Sequence, residues 1–259
     1  MFPPGIPMPA AEPAASLPAP PPLSAHWALF LDVDGCLLEF DEDPDRVRAP
    51  ASLSAQLAAV SRRLGGALAL VSGRGIASVD RVFAPARFPV GGLHGLERRG
   101  AATRQGAGPA AVDPVAWSAL VAEARARMAA HPRARVEDKG RALALHWRAE
   151  PQAEAHAHAF ASHALARLPG YRLQPGNCVL ELRPAGADKG SAIAAFLEEP
   201  PFAGRRPVFA GDDLTDEHGF ALVNRRDGIS IVVGDRRPTL ATHRLADPAA
   251  VRQWLEEAA

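Results

Sequence analysis

The chain has 259 residues, 47% hydrophobic, 22% charged and 6% aromatic, enough to bury a sizeable core in one large domain or two smaller ones. Lys plus Arg equals Asp plus Glu at 29 each, so no net charge draws the protein to nucleic acid or an anionic membrane, and neither partner is expected. Cys36 and Cys178 are the only cysteines, which argues against a disulfide scaffold or a Cys-ligated zinc site and points to a reducing compartment. No apolar run approaches the roughly 18 residues of a membrane span, and the N-terminus has neither a basic nor an apolar region, so a soluble cytoplasmic protein is expected.

Residues 1–22 are built almost wholly from Pro and Ala, with one charge and no periodicity that could bury a face. They read as a loose tail, with a polyproline docking segment as the functional alternative. From Trp27 onward, short apolar runs alternate with helical stretches: WALFLDV, a helix near 51–64, GALALVSG, a short helix and FPVGG. This rhythm predicts a parallel α/β sheet. It returns late, as helix 189–198, strand PVFAG, helix 217–224, strand GISIVVG and a helix from Pro248. Between the two halves, 112–130 and 151–168 read as helices, and RVEDKG, RALALHWR, YRLQPG and CVLELRP as strands. That block reads as a separate α+β unit, entered and left through Gly-rich linkers at 100–109 and 184–188.

Four motifs carry chemistry. LDVDGCL sets Asp32 and Asp34 at the carboxyl end of an apolar strand, where open α/β sheets bind ligands. Two carboxylates so close suit a nucleophile and a proton carrier with a cation between them, although Asp34-Gly35 is also a turn dipeptide. ALALVSGRG ends a second strand in Ser72, Gly73 and Arg74, a hydroxyl and backbone N–H groups that fit a phosphate or simply form a turn. In ADKGSAIAAFL, Asp188 can cap a helix whose first residue is Lys189, a cation set against the helix dipole. VFAGDDLTDEHGF ends a strand with Asp212, Asp213, Asp216 and Glu217 close behind, a cluster suited to a hard cation or an acid-rich helix start. His156, His158 and His163 share an Ala-rich helix at spacings that suit no i, i+4 metal pair, and read as a solvated face.

Taken in order, DxDGxL, Ser72, Lys189 and GDDxTDE resemble the aspartate-nucleophile phosphatases of the haloacid dehalogenase superfamily. Together with VSGR, GLHG at 92–95, EDKG at 137–140, LALHWR at 143–148 and VLELRP at 179–184, they resemble its trehalose-6-phosphate phosphatases. The resemblance implies a Rossmann-like core with an inserted C2-type α+β cap: core residues 23–99 and 185–259, cap residues 100–184. It further implies a Mg²⁺-dependent enzyme acting on a small sugar phosphate, trehalose 6-phosphate, through an aspartyl-phosphate; separately, a monomer is expected.

On this resemblance Asp32 is the nucleophile, Asp34 the acid–base, and Ser72 and Lys189 hold the phosphoryl group. Asp32, the Asp34 carbonyl and Asp212 hold the metal, with Asp213 or Asp216 acting through water. Gly73, Arg74, His94, Gly95, Glu137, Lys139, His146, Asn177, Glu181 and Arg183 bind substrate. Alternatives are another sugar phosphate, such as sucrose phosphate or mannosyl-phosphoglycerate, or a non-catalytic binding protein. Two positions depart from the pattern: Cys36 replaces a usual Thr and sets an oxidisable thiol beside the carboxylates, and Asn177 stands where Lys is common.

Overall fold

The computed structural model describes residues 17–40, 46–100, 112–176 and 178–257. The chain divides into two compact units, Met1–Gly106 with Asp188–Ala259, and Ala107–Ala187. The first unit begins with β1 (Trp27–Leu31), α1 (Ala51–Arg63), β2 (Leu68–Val71), α2 (Ile76–Val82), β3 (Val90–Gly92) and β4 (Glu97–Arg99). The inserted unit contains α3 (Pro114–Met128), β5 (Arg135–Asp138), β6 (Leu143–His146), α4 (Glu154–Leu165), β7 (Tyr171–Gly176) and β8 (Val179–Pro184). The first unit resumes with α5 (Lys189–Leu197), β9 (Arg206–Gly211), α6 (Glu217–Arg225), β10 (Ile229–Val233), β11 (His243–Leu245) and α7 (Pro248–Glu256).

The first unit is built on one sheet in the order β11-β10-β9-β1-β2-β3-β4, parallel throughout except for β4, which runs antiparallel to β3. Every residue of β1, β2 and β10 is buried, which is why these strands read as continuous apolar runs rather than alternating ones. Helix α1 packs with α7 and α5 with α6, and Phe30, Phe196 and Phe202 cluster in the core. The register then fixes the chemistry's address. Leu31 pairs with both Leu70 and Ala210, so Asp32, Ser72 and Asp212 emerge together at the carboxyl edge of three adjacent strands. The α/β architecture expected from the sequence is the one found. The short strands β4 and β11 have no counterpart in the sequence reading, because three residues such as Glu97-Arg98-Arg99 are too short and too polar to show a period.

The inserted unit is an antiparallel sheet in the order β5-β6-β8-β7. Helices α3 and α4 cover one of its faces, with Trp117, Leu120, Leu143, Leu145, Phe160, Leu180 and Leu182 between them. Asp113 caps α3 by accepting from the N–H groups of Val115 and Ala116 at 2.7 and 3.0 Å. The period of two along β8 turns Glu181 and Arg183 to the face opposite this core.

Composition alone misjudges the end of the proline-rich segment. Residues 1–16 lie outside the described residues, but Leu17 packs on the core of the first unit and Leu23 is buried in it. The Pro18 carbonyl accepts from the Arg244 N–H at 2.9 Å, and the Pro21 carbonyl from the Trp254 indole N–H at 3.0 Å. Proline lacks an N–H to satisfy, and extended proline-rich backbone makes no internal hydrogen bonds, so its carbonyls are available to outside donors. Residues 17–22 are thus a packed strap rather than part of a loose tail.

Candidate active site

Asp32 follows β1 and is held by its N–H, which donates to the Ala210 carbonyl at 3.0 Å. Gly35, just beyond, has a φ of +79° and lies so close to the Asp212 carboxylate that any side chain would collide with it. Lys189 opens α5 behind a capping box, in which Asp188 accepts from the Ser191 N–H at 2.7 Å. A solvated lysine is thereby excluded: Lys189 is buried, its Nζ 3.0 Å from Asp32 Oδ2 and 2.6 Å from Asp216 Oδ1. The other oxygen of Asp216 accepts from the N–H groups of Asp212 and Asp213 at 3.1 and 2.9 Å.

Asp32, Asp212 and Asp216 each bring a carboxylate oxygen into a group whose atoms all lie within 4.8 Å of one another. Burial pushes the Asp32 and Asp216 carboxyls above the ordinary range, although Lys189 pulls both down. Asp212 is pushed up to about 7 by burial and by the charge of Asp216. Burial alone would lower Lys189, but Asp216 and Asp32 outweigh it and hold the ammonium charged well above its usual value. One ammonium facing three carboxylates leaves the cluster short of positive charge, and Asp212 Oδ1 is buried without a hydrogen bond. An all-oxygen donor set of this kind fits a hard divalent cation. Cys36 is fully buried, and burial together with the Asp32 charge raises its thiol pKa, which favours the thiol over the thiolate.

Arg74, expected at the substrate, grips Asp34 in the structure. Its Nε and Nη2 donate to the two carboxylate oxygens at 2.7 and 2.6 Å, a bidentate pair. Ser72 is buried, and its hydroxyl oxygen accepts from the Arg74 N–H at 3.1 Å, which leaves the hydroxyl proton for another acceptor. His94 N–H donates to the Ser72 carbonyl at 2.9 Å, and Leu93 and His94 both adopt left-handed backbone, at φ 49° and 52°. That turn lays the His94 ring against Gly73, where a side chain would strike the imidazole; Gly95 follows, close to the Asp188 carbonyl. Asp213 and Asp216 cap each other's backbone N–H groups.

Sequence reasoning missed the brace behind this loop. Glu217, read as part of an acidic helix start, is fully buried; it pairs with Arg236 and accepts from the Leu240 N–H at 2.8 Å. Arg236 Nε in turn donates to the Asp212 carbonyl at 3.0 Å. Nothing around Arg236 in the sequence signals this, because the pairing depends on the β10–β11 connection folding back over α6.

In the inserted unit, Glu137, Ala144, Glu181 and Gln174 stand opposite one another across four strands. His146 Nε2 lies 3.0 Å from Glu137, and Lys139 Nζ 3.7 Å from Glu181 Oε1. Burial alone would raise Glu137, but the His146 hydrogen bond and the Lys139 charge outweigh it and hold it below the usual carboxylate range. Arg183 is buried and donates to the Ala187 carbonyl at 2.8 Å, so at least part of its guanidinium supports the end of this unit. Asn177 lies outside the described residues.

A family model described as Trehalose-phosphatase matches residues 30–249. The chain belongs to the trehalose-phosphatase family. It is 47% identical over 214 residues to a probable trehalose-phosphate phosphatase of Sinorhizobium fredii, covering 82% of this chain and 80% of that one. It is 44% identical over 238 residues to the trehalose-6-phosphate phosphatase of Escherichia coli, covering 91% and 88%. Among solved structures, a trehalose-6-phosphate phosphatase related protein superposes with a TM-score of 0.72 at 25% identity, covering 88% of this chain and 95% of that one. A haloalkanoate (HAD) superfamily phosphatase from Bacteroides thetaiotaomicron shares the fold, with a TM-score of 0.56 at 15% identity over 94% and 96%. This trehalose-phosphatase family member is therefore a phosphatase on the HAD fold, and none of its described helices is long and apolar enough to cross a membrane.

Proposed function

We propose that the protein hydrolyses trehalose 6-phosphate to trehalose and phosphate, with Asp32 as nucleophile. The observation that carries the reading is the buried group of Asp32, Lys189, Asp212 and Asp216 beside the Asp34–Arg74 pair and Ser72. The substrate follows from the names of the relatives. Mg²⁺, held by Asp32, Asp212 and the Asp34 carbonyl, would neutralise charge between the nucleophile and the phosphoryl oxygens.

In the first step an Asp32 oxygen attacks phosphorus and the bond to the sugar oxygen breaks, while protonated Asp34 gives its proton to that oxygen. In the second, ionised Asp34 takes a proton from water, the water oxygen attacks phosphorus, and the Asp32–phosphate bond breaks. Lys189 keeps Asp32 oriented and offsets the phosphoryl charge, and the Ser72 hydroxyl donates to a phosphoryl oxygen. Transfer of Arg74 from Asp34 to the phosphate dianion would free the Asp34 carboxyl for the leaving oxygen and give Arg74 a place at the substrate. On the inserted unit, Glu137 and Glu181 offer acceptors for sugar hydroxyls, and His146 and Lys139 hold them in place.

The test compares trehalose 6-phosphate, sucrose phosphate, mannosyl-phosphoglycerate and p-nitrophenyl phosphate, with Mg²⁺ and with chelator. The reading expects the highest kcat/KM for trehalose 6-phosphate and loss of turnover in chelator. Equal rates on the three sugar phosphates, or turnover unchanged by chelator, would overturn it.

A further inference from the structure

Away from the carboxylate cluster, the inserted unit brings together three titratable side chains from separate places in the sequence. His131 lies in the connection between α3 and β5, where its N–H donates to the Met128 carbonyl at 2.9 Å and its carbonyl accepts from the Ala134 N–H at 3.0 Å. His156 stands on the first turn of α4. His131 Nε2 and His156 Nδ1 are 3.1 Å apart. Glu150 closes the other side, with Oε1 3.3 Å from His131 Nδ1 and Oε2 accepting from the Arg133 N–H at 2.8 Å. That backbone bond, with the His131 contact, holds Glu150 below the ordinary carboxylate range.

We propose that His131 and His156 form a two-imidazole site for a borderline transition-metal ion such as Ni²⁺, Cu²⁺ or Zn²⁺. Glu150, already fixed by Arg133, accepts the Nδ1 proton of His131, so the Nε2 lone pair faces His156; a carboxylate behind a ligating imidazole is the usual support of such ligands. The ring centroids are only 4.6 Å apart, 1.5 Å more than the nitrogens, which is less than two ring radii. The rings are therefore tilted off a common axis; with no ion bound the two nitrogens lie within hydrogen-bond reach of each other, and an ion takes the place of that contact. With metal–nitrogen bonds of about 2.0–2.1 Å, a 3.1 Å separation corresponds to an angle of about 100°, between square-planar and tetrahedral values. His131 sits on a hydrogen-bonded turn and His156 on a helix, so both donors are positioned before an ion arrives. Water completes the shell, because His156 is exposed. The other helical histidines are engaged elsewhere: His158 against the Trp147 ring at 5.6 Å and His163 near Glu123 at 4.0 Å.

The full-length protein, held in excess Mg²⁺ so that the carboxylate cluster is supplied, is titrated with NiCl₂ by calorimetry, and its Cu²⁺ form is examined by electron paramagnetic resonance. The expected result is one site whose affinity falls about tenfold or more in His131→Gln and in His156→Gln, and about 10- to 100-fold in Glu150→Gln. His158→Gln and His163→Gln bind as wild type, the Cu²⁺ spectrum carries coupling from two nitrogens that drops to one in His156→Gln, and Ni²⁺ raises the melting temperature of wild type but not of His156→Gln. Ni²⁺ affinity unchanged in His156→Gln, or a wild-type Cu²⁺ spectrum without two coupled nitrogens, overturns the proposal. All variants are at or near the surface, and circular dichroism checks that each is folded.

Discussion

Replacing Asp212 by Asn separates what the carboxylate cluster does for catalysis from what it costs the fold. The Asp212 carboxyl rises from 3.8 to about 7 in the folded protein, chiefly through burial and the charge of Asp216. At 1.36 kcal/mol per pKa unit, that corresponds to a penalty of at most about 4 kcal/mol for ionised Asp212, and about 2 kcal/mol after allowing for partial solvent access. The folded pKa lies above the unfolded one, so the folded state binds the extra proton in between. Its contribution to stability is complete below about pH 4 and lost as the pH rises through about 7. Asn carries no charge and escapes this loss. In urea denaturation with chelator, Asp212→Asn should match wild type near pH 4 and exceed it by about 2 kcal/mol at pH 8. Millimolar Mg²⁺ should stabilise wild type at pH 8 through ligand linkage and leave the variant unchanged, and the variant should have lost phosphatase activity. A metal-free variant no more stable than wild type at pH 8, or a difference that does not change with pH, would refute the electrostatic account.

Asp32→Asn should abolish steady-state turnover in a folded protein, measured by phosphate release; Asp34→Asn should slow turnover by about 10²- to 10⁴-fold, and less for p-nitrophenyl phosphate, whose leaving group needs little protonation. Glu137→Gln should destabilise the inserted unit by about 0.5–1 kcal/mol at pH 7, because the depressed Glu137 carboxyl contributes stability above its unfolded pKa; the difference should be lost as the pH falls through the lowered folded pKa, as followed by denaturation across pH. Glu181→Ala should cost about ten- to a hundredfold in kcat/KM on trehalose 6-phosphate and little on p-nitrophenyl phosphate, and equal losses on both would assign it a folding role. Deleting residues 1–22 should lower stability by about 2 kcal/mol, the scale of two lost hydrogen bonds and one apolar contact, read as a shifted denaturation midpoint.

The carboxylate cluster was legible in the sequence because parallel strands buried on both faces must be apolar, so the polar residues that end them stand out. Asp32, Ser72 and Asp212 each terminate such a run, and Lys189 opens a helix where its charge opposes the dipole. The period of two in β8 likewise told which face Glu181 would take. Other features depend on partners that local pattern does not encode. Arg74 grips Asp34 across 40 residues, and Arg236 braces Glu217 and the Asp212 carbonyl from 19 and 24 residues away. His131 meets His156 only after α4 folds against α3 and β5 has formed. The strap at 17–22 looked formless because proline carbonyls have no periodicity, and its donors, Arg244 and Trp254, lie at the other end of the chain. Local periodicity decides which residues are buried and where elements end. Which charges meet is decided by strand order and loop return, and only the tertiary structure contains those.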